Sequence, residues 1–200
     1  MKSVLISINP KWCELIASGK KTVEVRKTIP KLETPFKVYI YQTKESKRRY
    51  TDHRFNSLFS GKSSYDTMGK VIGEFICNEI ERFCQFILDP QNHYEQKTID
   101  EILKLSCLSY DELCKYIAER EYYKPFYLWH ISNLVIYEKP RELSEFFHFC
   151  GDNPKCDGCE AHYFSNTECG KEDYCCSPIE GCKPIKRPPQ SWCYVERSEE

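Results

Sequence analysis

Residues 6–27 read ISINPKWCELIASGKKTVEVRK, and this stretch specifies a strand, a capped helix, a reversal and a charged strand. Val4, Leu5, Ile6 and Ile8 form an apolar run of strand length. Asn9 followed by Pro10 predicts a helix start, because asparagine accepts from the orphan amides of a first turn and proline arrives with its φ preset. Trp12, Leu15 and Ile16 recur at helical spacing. Gly19 supplies the left-handed residue that ends such a helix and turns the chain directly into residues 20–27. Side chains alternate along a strand, so Thr22, Glu24 and Arg26 share one face and Val23 and Val25 the other. One face is suited to packing and the other to binding.

Charge is distributed unevenly about this segment. The net charge is −1, yet residues 1–70 carry 15 Lys and Arg against 6 Asp and Glu, whereas residues 71–200 carry 14 against 24. An excess of one sign in one half points to an anionic partner. The densest basic run is KESKRRYTDHR at 44–54, where Lys47, Arg48 and Arg49 precede Tyr50. Such a loop can neutralise phosphates and offer a stacking plane to a base; the alternative is a solvated loop between two strands. Gln42 ends the strand beside it and is a candidate ligand contact.

The alternation and turn signals predict strands at 4–8, 22–27, 36–42, 70–77, 127–137 and 191–195, six in all. Two helices between the fourth and fifth strands are announced by capping boxes, Thr98 with Glu101 and Ser109 with Glu112. In the second, Leu113, Tyr116 and Ile117 share a face. Trp129 and Trp192 fall on strands, where aromatics are first core residues and second walls of a pocket. No apolar stretch approaches the ~20 residues of a membrane helix, and no signal-peptide pattern is seen at the start, so the expectation is a cytoplasmic protein without a membrane partner. Two hundred residues bury roughly 70% of the unfolded surface, enough for a monomer.

Cysteine usage divides the chain. Five of the thirteen cysteines are scattered over residues 1–149, and eight fall from Cys150 to Cys193. The clustered part has too few apolar residues to fold unaided, so cross-linking is expected. In a reducing compartment that spacing predicts structural zinc rather than disulfides, with reduced, metal-free thiols as the other alternative. Cys156 and Cys159 form a knuckle pair; together with Cys150 and Cys182 they would close the base of the segment. Cys193 reads as a strand residue.

The pattern Gly19, Lys21, Thr22, Glu24, Arg26 matches G-x-K-T-x-E-x-R, and with YLWHISNLVIYEKPRELSEF at 127–146 and RPPQSWCYVE at 187–196 it resembles the ASCH domain, a family related to PUA domains. The likeness is greatest to ASCH proteins of phages and prophages of Gram-positive bacteria. The resemblance implies an α+β fold: a small PUA-like β-barrel of about six strands with flanking helices. It spans residues 1–200 as a single domain, interrupted by a basic loop at 44–69 and a cysteine-rich, zinc-stapled insertion at 150–183. It also implies a cleft beside the motif strand lined by Lys21, Thr22, Glu24 and Arg26; from their own positions, Ser191 at the entry to the last strand can border that cleft, and Trp129 is its wall on the second reading. The function expected is binding of nucleic acid, RNA before DNA, or of a nucleotide. One alternative is a hydrolase of modified nucleosides or RNA, amidohydrolase- or nuclease-like. There Lys21 matches the family's lysine, but Glu24 stands where its threonine would be, and the offset to its glutamate reaches Ser106. Glu24 or Glu74 would then have to serve as the acid or base. A second alternative is a protein-interaction module of phage origin.

Overall fold

The computed structural model describes residues 3–44, 67–84, 96–118, 124–148 and 184–197. Lys47, Arg48 and Arg49 of the basic loop, and Cys150, Cys156, Cys159 and Cys182 of the cysteine-rich insertion, lie outside them.

The described elements run β1 (Ser3–Ile8), α1 (Pro10–Ala17), β2 (Val23–Arg26), β3 (Phe36–Gln42), β4 (Val71–Cys77), β5 (Ile80–Cys84), α2 (Gln96–Ser106), α3 (Tyr110–Ala118), β6 (Pro125–His130), β7 (Ser132–Arg141), a 3-10 turn (Leu143–Glu145), β8 (Phe146–His148) and β9 (Trp192–Arg197). They form an α+β arrangement of two sheets, one of six strands in the order β7-β4-β3-β1-β9-β8 and one of three in the order β2-β6-β5. β1 is central, parallel to β3 and antiparallel to β9. Every one of its residues is buried, which explains its nearly unbroken apolar sequence.

Three apolar clusters hold the layers together. Val4, Ile6, Ile8, Val38, Ile40 and Phe75 of the large sheet meet Cys13 and Ile16 of α1 and Trp129 of the small sheet. The outer face of the small sheet, through Val23, Val25, Phe126 and Leu128, is covered by Ile99 and Ile102 of α2 and Leu113 and Ile117 of α3. On the far face of the large sheet, Leu5, Tyr39, Tyr41 and Val195 are covered by Phe146 and Ile185. The alternation in residues 22–27 is therefore realised: the valines pack on the helices, and Glu24 and Arg26 face away from them.

The opening segment folds as its residues dictate. Asn9 Oδ1 accepts from the Lys11 amide at 3.1 Å, and Pro10 begins α1. At the other end Lys20 N–H reaches the Leu15 carbonyl at 3.0 Å and Gly19 N–H that of Ile16 at 2.9 Å, a Schellman closure around Gly19 at φ +71°.

Several expectations need correction. The strand expected at 127–137 is divided at Ile131, whose amide turns to the Thr22 carbonyl at 2.9 Å, so β6 belongs to the small sheet and β7 to the large one. β5 and the three-residue β8 were not expected; each is too short to show a period. The Ser109–Glu112 capping box is present, with Ser109 N–H to Glu112 Oε2 at 2.9 Å and Glu112 N–H to Ser109 Oγ at 3.2 Å. Thr98, in contrast, lies inside α2, which has already begun by Gln96. Among the described residues no helix is long and apolar enough to cross a membrane.

Candidate functional site

A cleft of about 410 Å³ opens where the end of β1, the start of α1, β2 and α3 meet. Ser7, Ile8 and Asn9 lead into it from β1. Trp12 forms a wall from α1, and Leu108, Glu112, Lys115 and Tyr116 form the wall opposite in the chain order, from α3 and the turn before it. Lys21, Glu24, Val25 and Arg26 contribute its floor.

The floor is a buried charge cluster. Lys21, Glu24 and Arg26 are 3%, 7% and 6% exposed, which for ionised side chains requires partners. Glu24 supplies the carboxylate between the two cations: its Oε1 lies 3.0 Å from Arg26 Nη2 and its Oε2 lies 3.2 Å from Lys21 Nζ. The Oε2 contact is outside hydrogen-bond alignment, leaving that oxygen without a hydrogen bond, as is Arg26 Nε. Lys21 Nζ also donates to the Ser106 carbonyl at 2.8 Å, at the C-terminal, electronegative end of α2. Arg26 Nη2 donates to the Ser7 carbonyl at 2.7 Å and Nη1 to Ser191 Oγ at 3.3 Å. Two cations share one carboxylate, so the floor carries one net positive charge beneath the cleft.

The aromatic wall residues have lysines over their rings. Lys11 Nζ lies 4.2 Å and Lys21 Nζ 5.3 Å from the Trp12 ring centre, and Lys27 Nζ lies 4.7 Å from that of Tyr116. The capping group of α1 is satisfied within the helix, so the start of α1 offers no free amide site beyond Asn9.

The structure brings together Lys21, Glu24 and Arg26, with Ser191 touching the cluster from behind through Arg26. Other candidates fall elsewhere. Thr22 is exposed and outside the cleft lining, its amide held by the Leu105 carbonyl at 3.0 Å. Gln42 is 1% exposed and its Oε1 accepts from Thr67 Oγ at 2.9 Å, so it fastens the base of the basic loop instead of facing the cleft. Trp129 is wholly buried, edge-on to Phe36 at 5.7 Å between ring centres, and belongs to the core. Glu74 lies on β4, paired with Lys37 at 2.9 Å and accepting from the Tyr137 hydroxyl; it does not line the cleft. The carboxylate beside Lys21 is Glu24. The offset that reached Ser106 found the right neighbour of Lys21, but one that offers a main-chain carbonyl.

Sequence reasoning missed the walls. Helical period places Trp12 and Tyr116 on apolar faces, and the capping box alone accounts for Glu112. The available signal is that Trp12 stands one position before Cys13 and four before Ile16, so it falls at the edge of the packed face of α1. His130 pairs with Glu81 away from the cleft.

No protein family and no curated protein matches the sequence. Among solved structures the chain is similar to the ASCH protein of Zymomonas mobilis, with a TM-score of 0.51 and 15% identity over 97% of this chain and 87% of that one. A point mutant of the same protein gives a TM-score of 0.51 and 15% identity over 97% and 88%. At that identity the likeness is one of fold: the chain has an ASCH-like α+β arrangement.

Proposed function

We propose that the protein binds nucleic acid, RNA in preference to DNA, or a free nucleotide, through the cleft beside the K-T-x-E-x-R strand. The observation that carries this reading is the floor of Lys21, Glu24 and Arg26, one positive charge in excess and nearly enclosed, beneath walls that include Trp12 and Tyr116. A net positive floor favours a carbonyl-rich or anionic ligand, and aromatic walls favour a flat one. A base carried by phosphates combines both properties. Unpaired RNA presents such bases splayed from their neighbours, which is how sequence-bearing RNA is most often recognised. The volume of about 410 Å³ suits one nucleotide and excludes a duplex from the floor.

A hydrolase is the second reading, favoured by one contact: Glu24 Oε2 stands 3.2 Å from Lys21 Nζ, a carboxylate beside an ammonium at the cleft floor. The threonine expected as nucleophile has no counterpart at position 24.

The cysteine-rich insertion, its structural zinc, its phage-type origin and a cytoplasmic location belong to the same proposal. Its support in the fold is that Phe147 bridges Pro184 and the Ile185 amide donates to the Phe146 carbonyl at 2.8 Å, so the chain returns beside the point it left. Cys150 and Cys182 are close in sequence to those two anchor points, where a staple would act most directly.

The test is binding of short single-stranded RNA, single-stranded DNA and duplex RNA to metal-replete protein, with Trp12→Leu as the altered wall. Micromolar or tighter, salt-sensitive binding that prefers single-stranded RNA and weakens in Trp12→Leu supports the reading. Equal binding by the variant, or binding of duplex alone, rejects the cleft.

A further inference from the structure

Glu112 serves two elements at once. Its Oε2 accepts from the Ser109 amide at 2.9 Å, closing the capping box of α3, while its Oε1 accepts from Lys11 Nζ of α1 at 2.7 Å. The pair spans the two helices that flank the cleft, and Glu112 is part of the cleft wall. Lys11 Nζ also lies over the Trp12 ring, 4.2 Å from its centre, so a base seated on that face of Trp12 would displace it and leave it free to meet the base's phosphate. A capping box works with glutamine as well as glutamate, so the helix start does not require the charge at position 112. That negative charge instead occupies a lysine at the mouth of a cleft whose floor is positive. Both partners are substantially exposed, 51% and 41%, so the contact is weak and exchangeable.

We propose that Glu112 is a built-in competitor for ligand phosphate, holding Lys11 in the unliganded protein and yielding it when a nucleotide enters against Trp12. This rests on the nucleotide-binding reading above and adds to it the mouth cation that takes the phosphate and the carboxylate that limits affinity. Lys115, three residues after Glu112 on α3 and also in the cleft wall, is a second cation within the same mouth.

The test is titration of a short fluorescein-labelled single-stranded RNA with the full chain at low and physiological salt. It compares the natural sequence, Glu112→Gln, Lys11→Ala and the double variant, each first checked for an unchanged circular dichroism spectrum. Glu112→Gln keeps the cap and is expected to bind about two- to fivefold more tightly. Lys11→Ala should bind more weakly with a salt slope reduced by about one, and the gain from Gln should shrink in its presence. If the natural protein binds but Glu112→Gln binds no more tightly, or gains equally without Lys11, the competitor is overturned and the cleft reading stands. If neither the natural protein nor Glu112→Gln binds RNA, the nucleic-acid reading fails and the competitor falls with it.

Discussion

Lys21 Nζ crosses 85 residues of sequence to donate to the Ser106 carbonyl at 2.8 Å. The same ammonium lies 3.2 Å from Glu24 Oε2, so one side chain both caps the C-terminal end of α2 and balances the carboxylate of the cleft floor. Removing it leaves a buried carboxylate with Arg26 alone and a helix carbonyl without its donor. Lys21→Ala is therefore expected to lose about 3–5 kcal/mol of stability, the usual cost of stripping one partner from a buried charge. Urea unfolding checks this, and a loss under about 1 kcal/mol would show that the ion pair does not support the fold. Any binding defect in that variant must be read against its stability, which makes Trp12 the cleaner probe of the cleft.

Glu112 gives a pH dependence with a definite sign. Hydrogen bonding from Lys11, and then from the Ser109 amide, holds its carboxyl below the usual glutamate range. A folded-state pKa below the unfolded one contributes stability that is fully present above the unfolded value and is lost as pH falls through the folded one. Thermal unfolding of the natural chain should thus drop more steeply across the acid limb, below about pH 5, than that of Glu112→Gln. Parallel limbs for the two would remove the assigned cause.

Burial sorts the thiols. It pushes Cys77 up to about 12 and Cys193 up to about 11, and Cys13, wholly enclosed and next to Glu24 in charge, well above the ordinary thiol value. Thiolate is the reactive form, so all three should resist iodoacetamide near pH 8 until the chain unfolds. Peptide mapping by mass spectrometry reads this directly; rapid native labelling of Cys77 would place it outside the core.

Much of this was legible because residues 6–27 carry their structure locally. Asn9-Pro10, the apolar run of β1, Gly19 and the alternation of β2 each act within a few residues, and each appears as expected. The charged face of β2 was also legible, through Lys21, Glu24 and Arg26. What period could not show was how far that face is enclosed, since enclosure comes from Ser7, Ser106 and Ser191, remote in sequence. Period also assigned Trp12 and Tyr116 to packing faces; a residue at the edge of such a face packs on one side and lines a cleft on the other. Trp129 follows its first reading, into the core, and Gln42 goes into the fastening of a loop.

The two insertions make separate predictions. Replacing Cys156 and Cys159 by serine should release about one zinc ion per chain and expose residues 150–183 to protease; unchanged metal content would remove those ligands. Reversing the charge of Arg48 and Arg49 should weaken RNA binding and flatten its salt dependence. Equal affinity would leave the basic loop as solvated chain.

The most direct measurement uses the protein's own fluorescence. Of its three tryptophans, Trp12 lines the cleft, while Trp129 and Trp192 pack together with ring centres 6.2 Å apart. Titration with short single-stranded RNA should give a saturable, salt-sensitive quench in the natural chain that disappears in Trp12→Phe. A quench that survives in Trp12→Phe, or no saturable change in the natural chain, would contradict a base-binding cleft at this position.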